Sequence, residues 1–517
     1  MKYIGINIGP VVKTLSLARR PRELWAASYL FSYLMECIVN EAGSVAGADE
    51  KVYGDIIAPA KWNKTSDEKK SLKVGLYPDR LYLKLKNQND SGVADTILSK
   101  AWKNFTEKIE IRGEWLYKEY FNLMHTSCEA DTEVEAVKKL NRQLDLLELC
   151  VMASNTDSGI SPLDQLMKLL QRTKKSTLFY LATGEEDFPV ETLAEIAAAQ
   201  LQGEVSEEVW NNFVKISQNE DDKSNPYSVF GDKQKSYHRY FCVVQADGDN
   251  MGKTLTNLSL QDGSINKISS ALVEFGKNAS KMISDFGGMP IYAGGDDLLF
   301  LAPVVGKDGR HIFNLLETLD SDSFEGVRGE CRKALPSLDD LSEEDLPSLS
   351  FGVSISFYKH PLYEALESAR DLLFGVAKNI NGKKAVVWKL EKHSGESFEA
   401  GYSRKDKKLD EAVAGIINVT NNGQTVTQAI HKIKDNWKLL TMCLQPGNKS
   451  RLDSFFKTIL EETSQNEAYF EALKKLMREL FDVKKPSEDK QMKAYAEILY
   501  SMLRTAKFIK GEDPKDE

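Results

Sequence analysis

The sequence has no hydrophobic run that is long enough to cross a membrane. Its longest apolar stretch, Leu24 to Met35, is short and is interrupted by serines and tyrosines at Ser28, Tyr29, Ser32 and Tyr33. A membrane-spanning helix needs about 20 apolar residues. The first nine residues read as a strand and do not have the pattern of a signal peptide. We therefore expect no membrane span and no secretory leader.

Paired cysteines are also absent. The six cysteines are far apart and form no Cys-x-x-Cys motif, which argues against a zinc ribbon or zinc finger. Their spacing suits a reducing cytoplasm better than a disulfide framework. The six histidines are scattered, and none is followed by aspartate. We expect no structural zinc and a cytoplasmic location.

Positive charge is in deficit. The net charge is -9 over 517 residues, with 77 acidic and 68 basic side chains. A protein that binds nucleic acid without partner subunits is usually basic. Any nucleic acid would therefore be bound together with other subunits or by a local patch. At about 150 residues per domain, the length predicts three or four domains.

Hydrophobic periodicity divides the chain into four segments, 1–155, 156–236, 237–400 and 401–517. The first has the order strand, helix, hairpin and long helix, the last over 93–126. The second is helical around Leu163 to Leu170 and then becomes a polar linker over 218–235. The fourth contains almost only helical patterns and predicts a C-terminal helical bundle.

The third segment gives the clearest topology. A strand from Tyr240 precedes a helix over 265–286, a hairpin, further helices, a strand over 349–358, a helix over 361–379 and a closing strand over 385–390. This βαββαβ order predicts a ferredoxin-like sheet with helices on one face. The fold class is therefore α+β, with two such domains joined by a helical linker region.

Two acidic clusters lie in the third segment, Asp247-Gly248-Asp249 at a strand end and Gly294-Gly295-Asp296-Asp297 in the hairpin. The first strand of a ferredoxin-like sheet lies beside that hairpin, so Asp247, Asp296 and Asp297 are expected to meet. Clustered carboxylates repel and need cations. Their hard oxygen atoms suit Mg²⁺ or Mn²⁺, and paired ions can activate a hydroxyl and neutralise leaving pyrophosphate.

Glycines and lysines near these acids suggest a bound triphosphate. Gly294 and Gly295 would permit a tight turn and close approach of a ligand. The phosphates would be contacted by residues from the segment after the first strand and from a later helix: Asp249, Asn250, Met251, Gly252, Lys253, Lys378 and, more weakly, Lys383 and Lys384. The plainer alternatives are a solvated hairpin, a turn cap at Asp249, and ordinary surface lysines.

Taken together, these motifs resemble the large palm-domain subunit of type III CRISPR effector complexes, in its Cmr (III-B) form. The stretches that carry the resemblance are Ile8–Pro10 with Ala18–Ser28, Asp247–Lys253, Gly294–Phe300, and Tyr358–Leu366 continuing to Lys378. The combination is specific and spans most of the chain.

The resemblance implies two palm domains related to nucleotide cyclases, of which the first is degenerate. Tyr77-Pro78-Asp79-Arg80 stands there in place of Gly-Gly-Asp-Asp. The second palm would join ATP units into cyclic oligoadenylate when the complex meets target RNA. Asp247 and Asp296 match the family's metal ligands, with Asp297 beside them. Some relatives transfer AMP to another acceptor, such as S-adenosylmethionine, and the sequence does not select the acceptor.

The resemblance also implies partners, and this chain departs from the family in two respects. The C-terminal bundle would pack on a small helical subunit, with backbone subunits and the subunit at the guide's 5′ end completing the complex around guide RNA and target RNA. Many relatives carry a His-Asp nuclease domain and a cysteine-based zinc site. Since neither motif is present, we expect no DNase activity and no zinc.

Two alternatives remain open from the sequence. A catalytically silent scaffold would assemble without turning over a nucleotide, although it has no physical need for clustered carboxylates. A diguanylate cyclase usually has Glu-Phe after Gly-Gly-Asp, where this chain has Asp297-Leu298. A comparison of GTP and ATP products separates the second alternative from the leading hypothesis.

Overall fold

The computed structural model describes most of the chain. The described ranges are 1–43, 53–62, 74–86, 92–109, 120–149, 190, 192–219, 224–257, 260–335, 346–419, 423–444, 449–463, 465–484 and 489–511. No helix within these ranges is both long enough and apolar enough to cross a bilayer.

The first domain is a four-stranded antiparallel sheet with the strand order β2-β3-β1-β4. Its strands are β1 (Lys2–Gly9), β2 (Gly54–Ala58), β3 (Arg80–Leu85) and β4 (Asn122–Glu129). Its helices are α1 (Val11–Leu15), α2 (Pro21–Ala42), α3 (Val93–Lys108) and α4 (Glu133–Leu149). Order and connectivity are those of the predicted ferredoxin-like fold.

The long helix predicted over 93–126 is wrong in its second part. Helix α3 ends at Lys108, and 122–129 form strand β4, which pairs with β1 along its whole length. From Met124 onward, the side chains of β4 alternate between half-buried and exposed. Such an edge strand carries few apolar residues, so the hydrophobic pattern gave no strand signal there.

The linker region contains helices α5 (Leu193–Ala197) and α6 (Glu207–Gln218). The helix predicted around Leu163 to Leu170 lies outside the described residues. The loose linker predicted over 218–235 is partly wrong, because a 3₁₀ helix, Pro226–Lys233, buries Tyr227 and Phe230 against Phe213 of α6. Two aromatic anchors in a polar stretch are enough to fix it.

The second domain is a six-stranded sheet with the order β10-β9-β8-β5-β7-β6. Its strands are β5 (Tyr240–Asp249), β6 (Met289–Gly294), β7 (Asp297–Pro303), β8 (Ser348–Phe357), β9 (Ala385–Glu391) and β10 (Ser397–Ser403). Its helices are α7 (Met251–Leu255), α8 (Ser264–Phe286), α9 (Ile312–Thr318), α10 (Glu325–Ala334) and α11 (Leu362–Arg370). The central β8-β5-β7-β6 unit repeats the ferredoxin-like order; β9 adds parallel to β8, and the unpredicted β10 adds antiparallel to β9.

The end of the chain is helical, as predicted. Its helices are α12 (Lys407–Asn418), α13 (Gly423–Asp435), α14 (Trp437–Leu444), α15 (Lys449–Thr458), α16 (Glu467–Lys484) and α17 (Asp489–Ile509). Helix α17 packs against β10, and the Trp388 indole of β9 donates a hydrogen bond to Thr505 in α17. The helices therefore share a core with the second sheet.

The two domains contact each other near the acidic hairpin. Leu30 and Leu34 of α2 share a buried cluster with Val243 of β5 and Leu299 of β7. The Ala293 N–H of β6 donates to the Gly75 carbonyl, 3.2 Å away, so the first domain is hydrogen-bonded to the strand that leads into Gly294. The first domain thus forms one wall beside the predicted site.

Alanine substitutions at two helical glycines should change the stability of the protein in opposite directions. A Cβ on Gly276 of α8 would lie 2.6 Å from the Ala293 carbonyl oxygen, whereas one on Gly415 of α12 would meet nothing within 4 Å. Gly276→Ala should lower the free energy of unfolding by about 1–3 kcal/mol through overpacking. Gly415→Ala should raise it by about 0.5–1 kcal/mol by reducing backbone entropy in the unfolded chain. Urea unfolding measures both; equal effects would contradict the α8–β6 packing.

Candidate active site

The two acidic clusters meet at one end of the second sheet. Ala246 of β5 pairs with Leu298 of β7, and the next residues on each side are Asp247 and Asp297. Gly248 lies directly against the hairpin, because a Cβ there would be 2.4 Å from an Asp296 carboxylate oxygen. Gly295 has a φ of +67°, which favours glycine in this turn. The convergence expected of Asp247, Asp296 and Asp297 is therefore present.

The electrostatics of the hairpin reflect this crowding. Burial, together with the nearby Asp247 carboxylate, raises the pKa of Asp296 to about 6. Burial also raises the pKa of Asp297 well above its ordinary value, reinforced by the Asp296 charge and by a hydrogen bond to Asp247. Neighbouring carboxylates that resist ionisation are stabilised by bound cations.

Lys378 supplies the nearest positive charge. It lies on a 3₁₀ turn after α11, and its ammonium donates to the carbonyl oxygens of Asp247 and Gly248 at 2.9 and 3.1 Å. It also contacts the carboxylates of Asp247 and Asp249, the latter at 2.9 Å. Although burial alone would lower its pKa, these two carboxylates raise the pKa of Lys378 above its ordinary value.

Asp249 contacts Lys378 at this site, but its own side chain is buried. Its side chain has no exposed surface and accepts hydrogen bonds from Ser348, Ser350 and the backbone N–H of Lys384. The nucleotide contact expected of Asp249 would therefore be indirect, through the residues that it holds.

The other predicted phosphate-binding residues occupy different surroundings. Asn250, with a φ of +62°, begins the short helix α7, and its side-chain oxygen accepts from the Lys383 ammonium at 3.3 Å. Met251 is buried against Gly248, whereas Gly252 and Lys253 are exposed. The structure thus groups Asn250 with Lys383 and leaves Lys253 exposed on the surface.

Two family models match the chain. One, described as Cas10/Cmr2, second palm domain, matches residues 240–387, and the other, CRISPR-associated protein Cmr2, N-terminal, matches residues 3–111. The two segments lie within the two sheet domains, and both descriptions name Cmr2.

Both segments match the Cas10/Cmr2 family.

Individual relatives show the same similarity. The chain is 31% identical over 184 residues to the CRISPR system Cmr subunit Cmr2 of Pyrococcus furiosus, a match that covers 31% of this chain and only 19% of that relative. Chains in the cryo-EM structures of type III-B Cmr-beta, in the apo state and bound to cognate target RNA, superpose with TM-scores of 0.57 and 0.54 at 11% and 12% identity. These superpositions cover 99% of this chain and 82% and 83% of those chains, and they show a shared fold.

A cavity of about 490 Å³ separates the two palm domains at the acidic hairpin. Asp297 and Tyr292 line it from the second palm, and Tyr77 and Asp79 line it from the first. Its volume is in the range of small-molecule sites. The chain therefore offers a ligand-sized space beside the Asp297 carboxylate.

Tyr292 is a site residue that sequence reasoning missed. Its ring folds back over Gly294, where a Cβ would be 2.5 Å from the tyrosine oxygen. Burial and the charges of Asp297, Asp79 and Asp296 raise the pKa of Tyr292 well above its ordinary value, so it remains a hydroxyl donor. Its position two residues before the Gly-Gly pair is visible in the sequence, but the fold-back of its ring is not.

The carboxylates fit a divalent cation that arrives with its substrate. Within the described part of the chain, no three Asp, Glu, His or Cys side chains are grouped so as to hold a metal ion by themselves. Mg²⁺ is usually held by one or two carboxylates together with substrate phosphates. Asp247 with Asp296 or Asp297 matches that smaller set, with the remaining positions left for phosphate and water.

Proposed function

We propose that this chain is the large subunit of an RNA-guided type III-B CRISPR complex in the cytoplasm and that its second palm is a nucleotidyltransferase that uses ATP. The observation that carries the proposal is the meeting of Asp247 with Asp296 and Asp297 beside the inter-palm cavity. A silent scaffold would have no use for three carboxylates packed so closely together.

Asp247, Asp296 and Asp297 would hold Mg²⁺ or Mn²⁺. The cations would neutralise the triphosphate and favour ionisation of the attacking hydroxyl. In the reaction, that hydroxyl oxygen forms a bond to the α-phosphorus of ATP and the bond to pyrophosphate breaks. The hydroxyl proton is lost to solvent, and the pyrophosphate carries the departing electron pair.

The chain's own residues would orient the substrates. Lys378 keeps a positive charge beside Asp247, while Lys253, Lys383 and Asn250 lie on the side where the triphosphate would extend. Gly248 and the Gly294-Gly295 turn leave room for close approach. The cavity bounded by Asp79 and Tyr292 would receive the acceptor, which is either a second adenylate or another molecule such as S-adenosylmethionine.

The remaining subunits would supply most of the RNA contacts. A chain with a net charge of -9 is poorly suited to hold RNA alone. We propose that backbone subunits, the subunit at the guide's 5′ end and a small helical subunit hold guide RNA and target RNA, and that the C-terminal helices contact the small subunit. Target RNA would then activate the palm through the assembly.

The proposal is tested on the assembled complex with guide RNA. Target RNA, Mg²⁺ or Mn²⁺, and ATP are added, first alone and then with S-adenosylmethionine, and the products are identified by mass spectrometry. Pyrophosphate and an adenylate product that depend on target RNA are expected. Products from GTP but not ATP would favour a diguanylate-type cyclase, and no product from any nucleotide would favour the silent scaffold.

The small protein ligand set predicts that cation and ATP bind cooperatively. Mn²⁺ alone should bind weakly, because the protein supplies only two or three carboxylates that repel one another. Adding a non-hydrolysable ATP analogue should tighten Mn²⁺ binding at least about 10-fold, since phosphate oxygens complete the coordination. Electron paramagnetic resonance titration of free Mn²⁺ measures this. Equal affinity with and without the analogue would contradict a shared site.

A further inference from the structure

One buried side chain connects three separate elements of the second palm. Asp249, at the end of β5, accepts from the hydroxyls of Ser348 and Ser350 on β8 at 3.1 and 2.7 Å. The same carboxylate oxygen accepts from the Lys384 N–H at 2.8 Å, just before β9. Its other oxygen faces the Lys378 ammonium at 2.9 Å. A fully buried carboxylate with this many donors is held rigidly in place.

A second buried acid supports this arrangement from behind. The Lys384 ammonium lies 3.0 Å from Asp320, which has no exposed surface, is 3.2 Å from Arg328, and accepts from the Leu349 N–H at 3.0 Å. Lys383 and Lys384 have φ values of +55° and +47°. Such left-handed backbone is unfavourable for residues other than glycine. The Asp249 and Asp320 contacts hold Lys384 in this conformation.

The contacts of Lys378 exceed what an ammonium can satisfy. It has three N–H donors and faces four oxygens, namely two carbonyls, Asp249 and the carboxylate of Asp247. The Asp247 side chain is 26% exposed, whereas that of Asp249 is 0% exposed. The Asp247 contact is therefore the one that a ligand can reach, and its loss would leave three acceptors for three donors.

We propose that Lys378 occupies the place of a divalent cation at Asp247 before substrate arrives, and that Asp249 is the positioning residue that retains the ammonium when the cation takes Asp247 over. The inference rests on the proposed function for the identity of the incoming ligand, a divalent cation with ATP. Lys378 then acts as a fixed counter-charge that competes with the first cation. In this role, the Lys378 ammonium stays at the end of β5 and does not have to move in order to reach a phosphate.

The test compares Mn²⁺ affinity, without nucleotide, in the full chain and in two variants. Asp249→Asn removes the anchor and leaves the ammonium on Asp247, so Mn²⁺ should bind about 10-fold more weakly. Asp249→Asn combined with Lys378→Met removes both charges, so neither charge is left buried without its partner. Since Asp247 is then free, Mn²⁺ should bind about 10-fold more tightly than in the parent. A matched control, Glu462→Gln with Lys474→Met, removes another buried ion pair, 2.9 Å long, at the C-terminal helices. It should leave the Mn²⁺ affinity unchanged.

Opposite changes in Mn²⁺ affinity in the two variants distinguish a positioning role of Asp249 from support of the fold alone. If Asp249 only stabilised the strand ends, the thermal unfolding midpoint would fall in both variants, and their Mn²⁺ affinities would not differ. Affinity in the double variant that is equal to or weaker than the parent's, including no detectable binding in either, overturns the proposal. Because this readout needs no turnover, a chain that behaves as expected but makes no adenylate product would overturn the proposed function alone.

Discussion

Replacing both hairpin carboxylates, Asp296→Asn with Asp297→Asn, should reduce product formation by at least about 100-fold in the assembled complex. Asp296 lies against Gly248, whereas Asp297 contacts Asp247 and lines the inter-palm cavity, so cations would be held beside that cavity. Asparagine keeps the shape but removes the charge that binds a cation, and lost stabilisation of transition-state charge typically has effects of this size. Pyrophosphate release with target RNA and ATP is the measurement.

The same double variant should fold at least as well as the parent. Its substitutions remove repulsion between buried like charges, so the unfolding temperature without divalent cations should rise. Asp285→Asn, on the exposed surface of α8, is a control that should leave activity and stability unchanged. A double variant as active as the parent would place the chemistry elsewhere.

Gly248→Ala should reduce activity by about 100-fold with the fold retained. The added Cβ would be 2.4 Å from the Asp296 carboxylate and 2.7 Å from its Cβ, so the hairpin itself must shift. Displacing a reacting group by about 1 Å can lower the rate by this factor. The measurement is kcat for pyrophosphate release, together with the thermal midpoint.

Gly329→Ala is the matched control for this substitution. Gly329 lies on α10 of the same domain, and a Cβ there would meet nothing within 4 Å. The variant should leave kcat within about two-fold of the parent. Equal losses at both glycines would mean that any added methyl group in this domain lowers activity, and would contradict the close approach of β5 to the hairpin.

The sequence carried enough information to predict the meeting of the acids because topology alone brings them together. In a βαββαβ unit the first strand lies beside the hairpin, and both clusters follow clear apolar runs. Strand β4 was missed because an edge strand with one solvated side carries little hydrophobic signal. The 3₁₀ helix around Tyr227 was missed because two aromatic residues hold a segment whose composition is that of a loop.

Within the site, residue types were predictable but their partners were not. Asp249 and Lys378 were both expected to contact nucleotide, yet the structure buries Asp249 and uses it to hold Lys378. Alternation along β5 puts Asp247 and Asp249 on one face, but nothing in the sequence indicates that Ser348, Ser350 and the turn at Lys384 close around the second acid. Tyr292 likewise depends on a ring orientation that only the fold determines.

The most direct measurement of the central claim is the position of bound Mn²⁺. Crystals of the chain with Mn²⁺ and a non-hydrolysable ATP analogue should show anomalous density within about 2.5 Å of carboxylate oxygens from Asp247 and from Asp296 or Asp297, with the triphosphate on the same ions. Mn²⁺ and nucleotide bound away from these three residues, with Asp247 still paired to Lys378, would contradict the account.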